Sequence, residues 1–99
     1  MEFEWDERKD QANRVKHGIS FETATGVFGD PKIVITLDEF SFDEERWKAT
    51  GLSENRSVLR VVYTERMSFF GKEVIRIISA RKADKDEKAE YYQIPPNSW

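Results

Sequence analysis

Two apolar, β-branched runs, Val58-Leu59-Arg60-Val61-Val62-Tyr63 and Val74-Ile75-Arg76-Ile77-Ile78-Ser79-Ala80, stand either side of a stretch that turns at Gly71. Runs of this composition form strands, and a loop this short joins antiparallel neighbours. They predict strands over 57–65 and 73–80, around which the rest of the chain has to pack. Ile33-Val34-Ile35-Thr36 adds a strong strand over 32–37, and a weaker one over 46–52 ends at Gly51. A turn is expected at 54–56 and an acidic loop at 38–45. Residues 2–5 alternate polar and apolar, as a short strand does.

A sheet needs cover on its apolar face, and three segments have helical signals. Asp6 is placed as an N-cap for a helix over 7–16, which Gly18 ends with a left-handed stop. Only Ala12 and Val15 are apolar in it, so light burial is expected. Ser20 caps a second helix whose stripe is Phe21, Ala24, Val27 and Phe28, ended by Gly29-Asp30-Pro31. Asp84 caps a third over 85–92, before Pro95-Pro96. The order β-α-α-β-β-β-β-α is an α+β fold: a central antiparallel sheet with helices over one face. One domain is expected over 1–92, with a short tail at 93–99.

Ninety-nine residues suit one domain with one core. Charged residues reach 35%, yet aromatics at 13% need something to pack against, which argues against disorder. No apolar run approaches a membrane span and the acidic start is unlike a signal peptide, so a cytoplasmic protein is expected. With no cysteine, disulfides, thiolate zinc sites and cysteine nucleophiles are excluded. His17 has no second histidine with which to share a metal, and Asp38, Glu39, Asp43, Glu44 and Glu45 lack calcium-loop spacing. No metal or other cofactor is expected, and that acidic cluster reads as a solvated loop.

The net charge of -3 is unevenly spread. Arg60 to Lys88 holds eight basic residues against five acidic ones, a local +3, which leaves -6 for the remainder. One face is therefore able to bind anions while the whole chain is acidic. By strand alternation Arg76 lies opposite Ile75 and Ile77, and Arg60 and Arg66 lie opposite Leu59, Val61 and Tyr63 if no bulge intervenes. Arg81 follows at the strand's end. Guanidinium groups gathered on a sheet bind phosphate bidentately, but pairing with Glu65, Glu73 and their neighbours would make the same face a merely solvated one.

At the level of motifs the chain resembles the BrnT-type toxins. The resemblance rests on Phe3-Glu4-Trp5-Asp6, Lys9, Asn13, Lys16-His17-Gly18 and Ser20-Phe21-Glu22-Thr23-Ala24. It continues through Arg46, Gly51, Val61-Val62-Tyr63-Thr64-Glu65-Arg66 and Ile75-Arg76-Ile77-Ile78-Ser79-Ala80-Arg81-Lys82-Ala83, to Glu87 and Tyr91. It implies a RelE-like fold and an RNA-cleaving toxin of a type II toxin–antitoxin system. It also implies a BrnA-type antitoxin that neutralises the toxin in a hetero-oligomer and brings the complex to operator DNA. The apolar hairpin Ser68-Phe69-Phe70-Gly71-Lys72 departs from the polar turn expected of the family. So does Tyr63, at a position where a histidine would act as a base near neutral pH.

Metal-independent cleavage through the 2′-hydroxyl needs a proton removed, a proton supplied to the leaving 5′-oxygen, and a charged transition state stabilised. Arg46, Arg76 and Arg81 are the expected phosphate clamps. Arg60, Arg66, Lys82, Lys16 and Tyr91 are the expected RNA contacts, Lys82 and Tyr91 equally suiting an antitoxin contact. His17, Glu65, Tyr63 and Tyr91 are the candidates for proton transfer. His17 suits helix capping equally, and Glu65 the orienting of an arginine; Trp5 and Trp47 read as core residues. The competing function class is a non-catalytic interaction module or co-repressor subunit, docking through the sheet edge and Phe69 and Phe70.

Overall fold

A computed structural model describes residues 1–39 and 45–93; the middle of the expected acidic loop, and the expected tail beyond Gln93, lie outside the described residues. The elements follow the expected order: β1 (Glu2–Glu4), α1 (Glu7–His17), α2 (Phe21–Thr25), a 3₁₀ turn (Gly26–Gly29), β2 (Val34–Leu37), β3 (Trp47–Leu52), β4 (Val58–Met67), β5 (Glu73–Lys82) and α3 (Lys85–Tyr92). They build a five-stranded sheet in the order β1-β5-β4-β3-β2. The β2–β5 meander is antiparallel as expected, whereas β1 joins the outer edge of β5 in parallel. The chain between them runs through two helices and three strands, long enough for a parallel pairing that no tight turn can reach.

The expected stripe of α2 fills one face of the sheet. Phe21, Ala24 and Val27 are buried against Ala49, Leu59, Val61, Tyr63, Ile75 and Ile77, with Phe3, Trp5, Phe28 and Trp47 packed around them. Each fully buried large side chain in such a cluster contributes roughly 1.5–3 kcal/mol. Phe28 sets its ring edge-on to Tyr63 at 5.0 Å, and Trp5 meets Phe21 at 6.2 Å. The 3₁₀ turn lies so close to β3 that a Cβ on Gly51 would sit 3.1 Å from Val27 Cβ, which is why this strand position has no side chain.

With that face occupied, α3 packs on the other one. Its buried Tyr91 meets Val58 and Ala83, with Val34 and Leu52 alongside, in a second, smaller cluster. The helices thus cover both faces, unlike the one-sided cover expected from the element order, and α3 covers only one end of its face.

α1 is held by polar groups. Val15 is 90% exposed, while Asp10 and Asn13 are buried. β1 pairs with β5 only as far as Arg76, so the ladder edge at Ala80 lacks a neighbouring strand. Asn13 takes that strand's place: its Nδ2 donates to the Ala80 carbonyl at 2.8 Å, and the Ala80 N–H donates to its Oδ1 at 3.1 Å. Nδ2 also donates to the Ile19 carbonyl at 2.8 Å, and Asp10 accepts the Phe21 N–H at 2.8 Å, fixing the turn into α2. Removing Asn13 strands buried backbone groups, each worth about 1–3 kcal/mol when unsatisfied. Asn13→Ala is therefore expected to lower the unfolding free energy by about 3 kcal/mol, and Val15→Ala by less than about 0.5 kcal/mol, in urea titrations.

Candidate nucleic-acid interface

Strand alternation on β4 is unbroken, so Arg60, Val62, Thr64 and Arg66 share the face away from Leu59, Val61 and Tyr63. β5 is different. Val62 stands opposite Ser79 while Tyr63 stands opposite Ile77, so Ile78 is an extra residue, a β-bulge. Arg76 lies opposite Thr64, and Arg81 opposite Arg60. The bulge thereby puts Arg76 and Arg81 on one face, although an odd separation would otherwise send them to opposite sides. The four arginines form two groups, Arg60 with Arg81 and Arg66 with Arg76, roughly 13 to 20 Å apart along β4 at ~3.3 Å per residue.

Beside α3, the carboxylate of Glu87 receives Arg81 in a fork, Nη1 to Oε1 at 2.7 Å and Nη2 to Oε2 at 2.8 Å. Oε2 also receives Arg60 Nη1. The Asp84 N–H donates to Oε1 at 2.9 Å while the Glu87 N–H donates back to Asp84, so the same carboxylate closes the N-terminal capping box of α3. The Arg81 hydrogen bonds, opposed by burial and helped by the Asp84 N–H and Arg60, pull the Glu87 carboxyl down to about 2. Arg81 keeps 43% of its side chain exposed, but Arg60 only 13%. Arg60 is a strut under this group rather than an open contact, and its buried Nε has no partner among the described residues.

Beside β1, Glu4 plays the same part. It receives Arg66 through Nε at 3.0 Å and Nη2 at 2.9 Å, and Arg76 Nη1 lies 3.7 Å away. The hydrogen bond from Arg66 is the main cause that lowers the Glu4 carboxyl, opposed by burial and helped by the charges of Arg66 and Arg76. The arginines therefore pair as the solvated-face reading allowed, but with Glu4 and Glu87 in place of Glu65 and Glu73. Part of the acidity assigned elsewhere in the chain lies on this face, because β1 delivers Glu4 to it. Both arginine groups still present guanidinium edges outward.

The other expected site residues divide. Arg46 stands one residue before β3; its carbonyl accepts the Asp38 N–H at 2.7 Å, and continued alternation puts it on the arginine face with Lys48. Tyr63 does not share that face: it is 1% exposed in the helix-covered core, and burial, then Glu65 and Glu73, push its hydroxyl up to about 12. Glu65 has the parity of Tyr63 and stands opposite Ile75, exposed near the hairpin end. Lys16 and His17 close α1, which leads into the helical layer, and the Arg14 carbonyl there is capped by the Gly18 N–H at 2.9 Å. Tyr91, expected at the surface, is buried and donates its hydroxyl to Asp30 Oδ2. Burial and Asp30 raise that hydroxyl to about 12. Burial works to raise the Asp30 carboxyl, yet Tyr91 and the N–H groups of Leu52 and Lys32 hold it below the usual range. Lys82 is exposed at the end of β5.

The anchoring roles of Glu4 and Glu87 escaped the sequence reading. The Asp84-x-x-Glu87 capping pattern was visible, but capping alone says nothing of two arginines on another strand. Outside the arginine face, Phe69 and Phe70 are exposed at the hairpin tip, edge-to-face with each other at 5.4 Å. No helix among the described residues is long and apolar enough to cross a membrane.

A family model described as "Ribonuclease toxin, BrnT, of type II toxin-antitoxin system" matches residues 5–87. Among solved structures, the crystal structure of the Brucella abortus ribonuclease toxin BrnT is similar at 25% identity and a TM-score of 0.60, covering 86% of this chain and 99% of that one. No curated relative matches the chain in sequence.

The depressed Glu87 carboxyl has a pH signature. Its folded value lies below the ordinary 4.5, so the stability it contributes is present above that value and is lost as pH falls toward about 2. The loss amounts to about 3 kcal/mol for a group so little exposed. Glu87→Gln should start less stable at pH 7 and show a flatter acid limb than the unaltered protein, in urea unfolding followed from pH 7 to about pH 3.

Proposed function

Because the chain belongs to the BrnT family of ribonuclease toxins of type II toxin–antitoxin systems, we propose that it cleaves RNA without a metal ion, through attack of the 2′-hydroxyl. The observation that carries this reading is the alignment of Arg66, Arg76 and Arg81 on one sheet face, each oriented by a carboxylate and each partly open to solvent. In the reaction the 2′-oxygen forms a bond to phosphorus and the bond to the 5′-oxygen breaks. The 2′-hydroxyl loses its proton and the leaving oxygen gains one. Arg76 and Arg81, with Arg46 beside them, stabilise the negative charge that builds on the non-bridging oxygens. They remain charged throughout and are oriented before substrate arrives, which is where such stabilisation gains its strength.

Proton transfer is left to Glu65 and His17, which are exposed or half-exposed but lie off the arginine face. Glu65 has the parity of Tyr63 near the hairpin end and His17 stands at the end of α1, so either reaches the linkage only from around the sheet's edge; the buried Tyr63 takes no part. A BrnA-type antitoxin neutralises the toxin in a cytoplasmic hetero-oligomer and carries the complex to operator DNA. RNA cleavage stops translation and growth. The exposed Phe69 and Phe70 favour one rival, a docking module that arrests growth by binding alone.

Incubation of the purified protein with RNA in EDTA is expected to give fragments ending in 2′,3′-cyclic phosphate and 5′-hydroxyl, and a 2′-deoxy linkage should survive. Arg76→Ala and Arg81→Ala should each lower kcat about 100-fold, the effect typical of removing one transition-state donor. Whichever of Glu65→Gln and His17→Ala lowers kcat more than about tenfold identifies the proton-transfer group. Intact RNA, together with growth arrest that survives both arginine substitutions, would establish the docking module instead.

A further inference from the structure

Where the β3–β4 turn meets the end of β5 and the last turn of α3, a cavity of about 380 Å³ is lined by Arg56, Ser57, Val58, Lys82, Lys88 and Tyr92. Three of these six are cations and none is a carboxylate. None of the three makes an ion pair among the described residues, unlike Arg60, Arg66, Arg76 and Arg81, which share the two carboxylates of Glu87 and Glu4. A group of three uncompensated cations thus lies beside the paired arginines.

The backbone of the turn adds an independent observation. Arg56 sits at φ 66, a left-handed conformation in which glycine is the least strained residue and a long side chain is uncommon. The turn is fastened around it: the Ser53 hydroxyl donates to the Ser57 carbonyl at 2.9 Å, and the Arg56 N–H donates to the Ser53 carbonyl at 2.9 Å. A guanidinium is therefore held at a position where stability alone favours glycine.

Tyr92 completes the wall. The residue is 56% exposed and its ring stands edge-to-face with Tyr91 at 5.0 Å, and Tyr91 is itself fastened to Asp30. A fixed, half-open aromatic ring beside unpaired cations suits a strand that presents phosphates and bases in succession. The cavity adjoins the proposed cleavage face in sequence, since its Lys82 follows Arg81, whose Nη1 donates to the Lys82 carbonyl at 3.1 Å.

We propose that this cavity is a subsite for single-stranded RNA flanking the cleaved linkage, where Arg56, Lys82 and Lys88 hold phosphodiester groups and Tyr92 stacks on a base. It rests on the ribonuclease reading and extends it to the path of the substrate.

The test is fluorescence anisotropy with a short, uncleavable 2′-O-methyl RNA, run beside cleavage of ordinary RNA by the unaltered protein. The double variant Lys82→Ala, Lys88→Ala should weaken binding about tenfold and reduce the salt slope by about 1.4, at ~0.7 per lost phosphate contact on a single strand. Tyr92→Ala should weaken binding about fivefold with little change in slope, since stacking releases no counterions. Arg56→Gly should weaken binding while leaving the melting temperature unchanged or higher, a pairing that a purely structural role for Arg56 would not produce. Lys9→Ala, exposed on α1, should bind as the unaltered protein does. If the unaltered protein binds and cleaves RNA and the cavity variants match it, the subsite is overturned and the ribonuclease reading stands. If those variants lose affinity only for the antitoxin, the cavity is a protein interface and the subsite is likewise overturned. If the unaltered protein neither binds nor cleaves RNA, both readings fall together.

Discussion

Between Val62 and Tyr63 the β4–β5 ladder takes in Ile78 as an extra residue, and the chemistry of the molecule depends on that slip of register. Side-chain direction in a strand has a period of two, so one inserted residue reverses every face beyond it. Upstream, Ile75 and Ile77 face the helical layer and Arg76 faces away. Downstream, Ala80 returns to the core and Arg81 joins Arg76. Without the bulge, burying Ile75 and Ile77 would carry Ala80 out of the core and Arg81 into it. Burying an unpaired guanidinium is prohibitive, so the apolar core and the cationic face require the same irregularity.

Gathering like charges on one surface has its own electrostatic cost, and two carboxylates from distant parts of the chain offset it. Glu87 lies between Arg60 and Arg81, and Glu4 beside Arg66 and Arg76. The two groups differ in burial. The Glu87 carboxylate is largely enclosed and its carboxyl strongly depressed, so it ties α3 to the sheet; Glu4 is more open, and its exposed pairs contribute little to stability. Both orient guanidinium groups, which for a reaction that develops charge on phosphate counts for more than the binding energy of any one pair.

The arrangement also separates two uses of positive charge. The paired arginines are oriented and half offset in charge, four guanidinium groups against two carboxylates, suited to discriminating a transition state from a ground state. Arg56, Lys82 and Lys88 are uncompensated, suited to attracting and holding a polyanion. An acidic chain with a net charge of -3 thereby handles RNA through local fields, each acting over about a Debye length of ~8 Å.

Much of this was legible before any coordinates. The apolar runs, caps and turns named every helix and strand in order, because those signals are local: Asp6, Ser20 and Asp84 cap helices through bonds to residues two or three positions away. The motif resemblance extended over most of the domain and pointed to the family that the comparisons establish. What tertiary structure alone decided is which residues from distant segments meet. The parallel docking of β1, Asn13 standing in for a missing strand at Ala80, Tyr63 turned into the core, Tyr91 pinned to Asp30, and the choice of Glu4 and Glu87 over Glu65 and Glu73 all join residues far apart along the chain. Alternation and capping carry no information across such separations. Only the packing of both sheet faces, with the one-residue bulge that reconciles them, selects the partners.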